Sequence, residues 1–117
     1  MFKEGIGFHF NVSNLERAIA FYSEKLGFKV LDHDPSRGQA MLSTNSKDCI
    51  IGLAEAEAVV PASTCITFEV ANIDQAVQSL QERGIDFAGE IMIVPSVIKL
   101  ATFYDPDGYK LMLFSHL

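Results

Sequence analysis

The chain has 117 residues, of which 49% are apolar and 21% charged, and this composition excludes a disordered or low-complexity protein. Nine Lys and Arg against fifteen Asp and Glu give a formal net charge of −6, which argues against nucleic acid or an anionic membrane as a partner. Two cysteines, Cys49 and Cys65, are too few for a disulfide framework. With no stretch resembling a signal peptide or a spanning helix, we expect a soluble, cytoplasmic protein with reduced thiols.

The sequence contains an internal repeat. Residues 8–20 (FHFNVSNLERAIA) align with residues 66–78 (ITFEVANIDQAVQ) at an offset of 58, about half of the chain. Four positions are identical, namely the pairs Phe10/Phe68, Val12/Val70, Asn14/Asn72 and Ala18/Ala76. The matches fall in the same order of strand, helix cap and helix, so the repeat predicts two modules of one architecture.

The first module begins with an alternating strand. Its apolar residues, which include Phe8 and Phe10, lie on one face of the strand. The other face carries Gly7, His9 and Asn11. A capping box, Ser13-x-x-Glu16, predicts the start of a helix whose apolar residues recur at helical spacing. Gly27 is placed to end this helix. Three strands are expected near residues 28–33, 39–43 and 48–54.

The second module repeats this order. Its first strand has Ile66, Phe68 and Val70 on one face and Cys65, Thr67 and Glu69 on the other. Asn72-x-x-Gln75 predicts the start of the helix, Gly84 its end, and three strands are expected near residues 87–94, 98–104 and 109–114. Residues 55–63 are interpreted as a solvated linker. We therefore predict a single α+β domain, 1–117, of two βαβββ modules (about 1–57 and 63–117) that form a curved mixed sheet around a concave pocket.

The most distinctive turn is Asp105-Pro106-Asp107-Gly108. Proline fixes φ for a turn and glycine accepts the positive φ that closes a hairpin. We interpret this turn as structural and assign no chemistry to its two aspartates.

The small and polar strand face suits the lining of a pocket, because it carries little apolar surface to bury against a helix. His9 is the first candidate there, either as a general base, as an anchor for a ligand, or as a wall residue satisfied by Glu69, Asn11 or water. Cys65 is either a nucleophile or, in the interpretation we prefer, an inert thiol. The predicted ligand-binding residues are His9, Asn11, Thr67, Glu69, Phe103 and Met112.

Three segments together resemble the vicinal oxygen chelate superfamily, which contains glyoxalases, bleomycin resistance proteins and extradiol dioxygenases. They are residues 10–18 (FNVSNLERA), 21–28 (FYSEKLGF) and 103–109 (FYDPDGY). The resemblance covers nearly the whole chain and implies the fold rather than a reaction, since the superfamily hosts several. It also implies a homodimer, or pairing of the modules within one chain.

The resemblance further implies where a catalytic member would hold its divalent metal. These positions carry Gly7, Gly52, Cys65 and Met112 in this sequence. Glycine has no side chain and thioether sulfur is a poor ligand for hard ions, so we predict no metal site and no cofactor. A displaced site using His9 and Glu69 would need a further ligand that the sequence does not supply.

Three functions follow as hypotheses. The first is a small-molecule-binding protein of the glyoxalase/bleomycin resistance type without the metal. The second is an enzyme of that superfamily, either a lyase, isomerase or dioxygenase-like protein with relocated ligands or an acid/base catalyst using His9. The third is a dimeric interaction or regulatory module without pocket chemistry. The identity of the ligand is left open.

Overall fold

A computed structural model describes residues 1–63 and 65–117. The chain divides into two compact units, Met1–Val60 and Pro61–Leu117. Each unit contains one strand, one helical segment and three further strands in that order. This order confirms the predicted α+β class and the tandem βαβββ modules.

The first unit is a four-stranded mixed sheet with a helix on one face. Its elements are β1 (Ile6–Val12), α1 (Leu15–Ala20), a π-helical turn (Phe21–Lys25), β2 (Lys29–Asp34), β3 (Gln39–Ser43) and β4 (Cys49–Glu55). The strand order is β1-β4-β3-β2, with β1 parallel to β4 and the other pairs antiparallel. The helix packs against β3 and β4.

The second unit has the same topology. Its elements are β5 (Ile66–Glu69), α2 (Ile73–Glu82), β6 (Met92–Val94), β7 (Ile98–Tyr104) and β8 (Lys110–His116). The strand order is β5-β8-β7-β6, again with one parallel pair, β5 and β8. The helix packs against β7 and β8. Within residues 1–63 and 65–117, no helix is long and apolar enough to cross a bilayer.

Both helices begin at an asparagine. The side chain of Asn14 accepts a hydrogen bond from the Arg17 backbone N–H at 3.0 Å, and Asn72 accepts one from Gln75 at 3.1 Å. The prediction of Ser13 as the first cap was therefore wrong by one residue. The repeat already pairs Asn14 with Asn72, so the same residue type caps both helices.

The helix ends follow the prediction. Gly27 and Gly84 adopt φ of +80° and +90°, the left-handed conformation that stops a helix. Before Gly27 the chain widens into the π-helical turn, where Tyr22 is fully buried. The Tyr22 ring lies 5.1 Å from Phe21 and 6.3 Å from Phe28, measured between ring centroids. This aromatic cluster anchors the helix of the first unit.

One predicted strand is shorter than expected. Residues 87–94 yield β6 only at Met92–Val94, while Phe87 makes an isolated bridge to Phe103. Gly89, between them, has a φ of +77°, which an extended strand does not accommodate. The pairing of this segment with β7 is therefore interrupted at Gly89 and resumes at Met92.

Glu55 corrects the prediction of a solvated linker from residue 55. It is the last residue of β4, and its carboxylate accepts a hydrogen bond from the Leu15 backbone N–H at 2.9 Å. The first N–H groups of a helix have no partner within the helix, and a negative charge there also favours the helix dipole. A residue distant in sequence thus completes the cap of α1.

Replacing Glu55 by alanine is expected to lower the free energy of unfolding by about 1 kcal/mol, the typical cost of a lost helix cap. Glu57 is the matched control, because it is an exposed glutamate two residues further along, and Glu57→Ala should change stability by less than about 0.5 kcal/mol. Urea denaturation of both variants measures the difference. Equal stabilities for the two variants would contradict the capping role of Glu55.

Candidate functional site

The face of the first sheet opposite the helix is open to solvent. Gly7, His9 and Asn11 alternate onto it from β1 and are exposed, as predicted. Strand pairing sets His9 beside Gly52 of β4, and Gly52 beside Met41 of β3. At the centre of this face, Gly52 therefore lies between the imidazole of His9 and the thioether of Met41.

His9 is placed to meet a ligand. A Cβ atom built on Gly52 would lie 3.6 Å from the Nδ1 atom of His9, so the glycine leaves the space beside the His9 ring open. Within the described residues no hydrogen bond or ion pair of the His9 ring is found. Both ring nitrogens of His9 can bond to a ligand or to water.

The open face of the second sheet places two sulfur atoms together. Cys65 directly precedes β5 and Met112 lies in β8, and the Cys65 Sγ atom is 3.7 Å from the Met112 Sδ atom. Both residues are half-buried, and the thiol is free. Thr67, two residues after Cys65, is the strand partner of Met112 and is exposed on the same face.

The four positions that the resemblance singled out are related by the repeat. In the first unit, His9 lies two residues after Gly7 and pairs with Gly52. In the second unit, Thr67 lies two residues after Cys65 and pairs with Met112. Gly52 is therefore the counterpart of Met112 in the first unit.

Glu69 has a partner that the sequence analysis missed. Its Oε2 atom lies 3.4 Å from Nε2 of His116, and both side chains are about two-thirds exposed. The predicted last strand stopped at residue 114, whereas β8 continues to His116. The alternation of Met112, Phe114 and His116 along one strand was the signal that could have placed His116 on the open face.

The third histidine, His33, belongs to the other face. It lies in β2, and its Nε2 atom is 3.1 Å from Oε1 of Glu16, in the first turn of α1. His33 thus supports helix packing in the first unit and contributes nothing to the open face.

Phe103 does not share the open face with the other predicted ligand-binding residues. It is fully buried, and its ring centroid lies 5.3 Å from that of Phe87. Its neighbours in the strand, Thr102 and Tyr104, point to the opposite face because side chains alternate along a strand. The structure therefore places Phe103 in the core of the second unit.

The Asp-Pro-Asp-Gly turn is built by one buried carboxylate. Oδ1 of Asp105 accepts hydrogen bonds from the backbone N–H groups of Asp107 and Tyr109, both at 2.9 Å. The Gly108 N–H bonds to the Asp105 carbonyl, and Gly108 has a φ of +89°. This geometry gives Asp105 the structural role that the sequence indicated for the turn.

The donor set at the four positions does not fit a hard divalent metal. Two of the positions offer no side chain, and the other two offer a thiol and a thioether. Mg²⁺, Mn²⁺ and similar ions take carboxylate, carbonyl, water and imidazole ligands. In the part of the chain that the structure describes, His, Cys, Asp and Glu side chains form no group of three or more able to hold a metal ion.

Comparison with known proteins identifies the family. The family model of the Glyoxalase/Bleomycin resistance protein/Dioxygenase superfamily matches residues 7–113, which span both units. The chain therefore belongs to this superfamily. A search of curated protein sequences found no significant match.

Solved structures of similar fold come from several bacteria. TnmS3 from Streptomyces sp. CB03234, described as an antibiotic binding protein, is 26% identical with a TM-score of 0.81, over 99% of this chain and 98% of that one. A superfamily member from Sphaerobacter thermophilus DSM 20745 is 24% identical with a TM-score of 0.80, over 98% of each chain. A glyoxalase/bleomycin resistance protein/dioxygenase from Nocardioides is 22% identical with a TM-score of 0.79, over 100% and 85%.

Proposed function

We propose that this protein binds an organic small molecule on the open strand faces and does so without a divalent metal. The observation that carries the proposal is that the positions at which the resemblance implies metal ligands hold Gly7, Gly52, Cys65 and Met112, in a chain that belongs to the superfamily. A similar structure described as an antibiotic binding protein supports the same class of function.

The chemistry of the two faces suggests how a ligand is held. In the first unit, His9 and Asn11 are polar groups at an exposed sheet surface beside Gly52, where a ligand can approach the backbone closely. In the second unit, Met112 offers a polarizable apolar contact next to the Thr67 hydroxyl, and Glu69 with His116 supplies charge. Each surface, taken by itself, suits a ligand with an apolar body and several hydrogen-bonding groups.

The proposal is tested by thermal denaturation against a panel of antibiotics and metabolites, in buffer containing EDTA. A compound at 100 times its Kd should stabilise the protein by about 2.7 kcal/mol. His9→Ala should reduce that shift, whereas His33→Ala should leave it unchanged because His33 lies on the helix side of its sheet. A divalent ion that stays bound in stoichiometric amount after dialysis against EDTA, or no shift with any compound, would refute the proposal.

An acid/base enzyme that uses His9 is the second candidate. The observation that favours it is the exposed position of His9 on the open strand face beside Gly52, since a general base must be accessible to its substrate. Chromatography of the same incubations distinguishes the two functions. Product formation that disappears in His9→Ala supports the enzyme, and recovery of the intact compound supports the binding protein.

We also propose that the protein acts as a homodimer in the cytoplasm. The dimer follows from the superfamily resemblance. The cytoplasmic location is supported by two free, half-buried cysteines, which a reducing compartment keeps as thiols.

A further inference from the structure

We propose that Cys65 and Met112 form a two-sulfur binding site for a soft monovalent cation, Cu(I). Binding of Cu(I) would be a separate property of the protein and does not require that it bind an organic molecule. It starts from the position in the second unit where the superfamily resemblance leads one to expect hard ligands and where the structure instead shows two sulfur atoms.

The geometry suits one ion held by both sulfurs. Metal–thiolate bonds are about 2.3 Å long. Two such bonds to sulfur atoms 3.7 Å apart enclose an angle of about 110° at the metal, a normal value for a tetrahedral or trigonal ion. Cys65 directly precedes β5, and β5 runs parallel to the strand β8 that carries Met112, so the two side chains start from neighbouring segments. An ion can bind without a change of fold.

The donor chemistry selects the ion. Thiolate and thioether sulfur are soft ligands that favour Cu(I), while Mg²⁺ and Mn²⁺ favour oxygen. On binding, the Cys65 thiol releases its proton to solvent and the thiolate charge neutralises a monovalent cation. A divalent cation on the same two donors would keep an excess positive charge.

The surroundings also disfavour a hard ion. The two strand partners of Met112 are Thr67 in β5 and Thr102 in β7, and both side chains are neutral hydroxyls. The carboxylate of Glu69, two residues further along the strand, lies next to His116 instead. Within the described residues, His, Cys, Asp and Glu side chains form no group of three or more of the kind that a zinc site uses.

The test is a titration of the reduced protein with Cu(I) supplied as its bicinchoninate complex, under anaerobic conditions. Transfer of Cu(I) to the protein is measured as loss of the colour of the chelate. We expect one equivalent of Cu(I) per chain. Cys65→Ser should abolish the transfer, and Met112→Leu should weaken it at least tenfold.

Two variants serve as matched controls. Cys49 is the other free thiol and is equally half-buried, but it lies in the first unit, and Met41 is a half-exposed methionine of that unit. Cys49→Ser and Met41→Leu should both bind Cu(I) like the wild type. Melting temperatures establish that every variant is folded, and Cys65→Ala replaces the serine variant if serine lowers the melting temperature.

Three outcomes would overturn the site: no transfer of Cu(I), equal losses in Cys49→Ser and Cys65→Ser, or unchanged affinity in Met112→Leu. The last result would mean that a thiol alone captures the ion. The organic-ligand panel is run without added copper, so its result does not depend on the copper site. Failure of the copper site and failure of the proposed function can thus be told apart.

Discussion

Phe103→Ala is expected to lower the free energy of unfolding by about 3–5 kcal/mol, the cost of removing a large aromatic side chain from a packed core. Phe103 is fully buried and contacts the Phe87 ring. Alanine at this position leaves a cavity between the sheet and the segment that carries Phe87. Chemical denaturation of the purified variant measures the loss.

Tyr104 provides the control for this prediction. It follows Phe103 in β7 but points to the opposite face and is 48% exposed. Tyr104→Ala should therefore cost no more than about 1 kcal/mol. Phe103→Leu should retain the binding of any compound found in the panel, because Phe103 does not reach the open face. Weakened binding in a stably folded Phe103→Leu variant would show that Phe103 contributes to the ligand site after all.

Asp105→Ala is expected to destabilise the protein by about 2–4 kcal/mol, because two backbone N–H groups lose the charged acceptor that they share. Asp105 is 5% exposed, and its carboxylate accepts hydrogen bonds from the backbone N–H groups of Asp107 and Tyr109. Water does not readily replace it at so buried a position. The same denaturation measurement detects the effect.

Asp105→Asn distinguishes the hydrogen bonds from the charge. The asparagine side chain keeps an oxygen that can accept both N–H groups, so this variant should retain most of the stability that alanine loses. An Asp105→Ala variant as stable as the wild type would show that the turn does not need the carboxylate. It would then have to be held by Pro106 and by the positive φ of Gly108.

Local patterns predicted the architecture of this protein well. The match between residues 8–20 and 66–78 identified two modules, and alternation along each first strand correctly separated the apolar face from the face that carries His9. Positive φ at Gly27 and Gly84 was also predictable, since glycine after a helical stretch favours it. These features depend on residues close together in the chain, where periodicity and backbone preferences act directly.

The errors share a physical cause. Ser13 and Asn14 can both cap a helix, and the choice depends on the backbone conformation at each position. Phe103 was assigned to the ligand site because an aromatic residue near a pocket and one in a core look alike in sequence. The strand register decides between these two environments, and a shift of one residue exchanges the faces.

The sequence by itself determined the repeat, the α+β class, the turn at residues 105–108 and the lack of hard ligands at the four inferred metal positions. Only the tertiary structure brought Cys65 to Met112, 47 residues later, and Glu55 to the start of α1, 40 residues earlier. Such contacts are made between strands and helices that meet only after the sheet has formed. Their distances are set by strand pairing, and no local pattern in the chain encodes them.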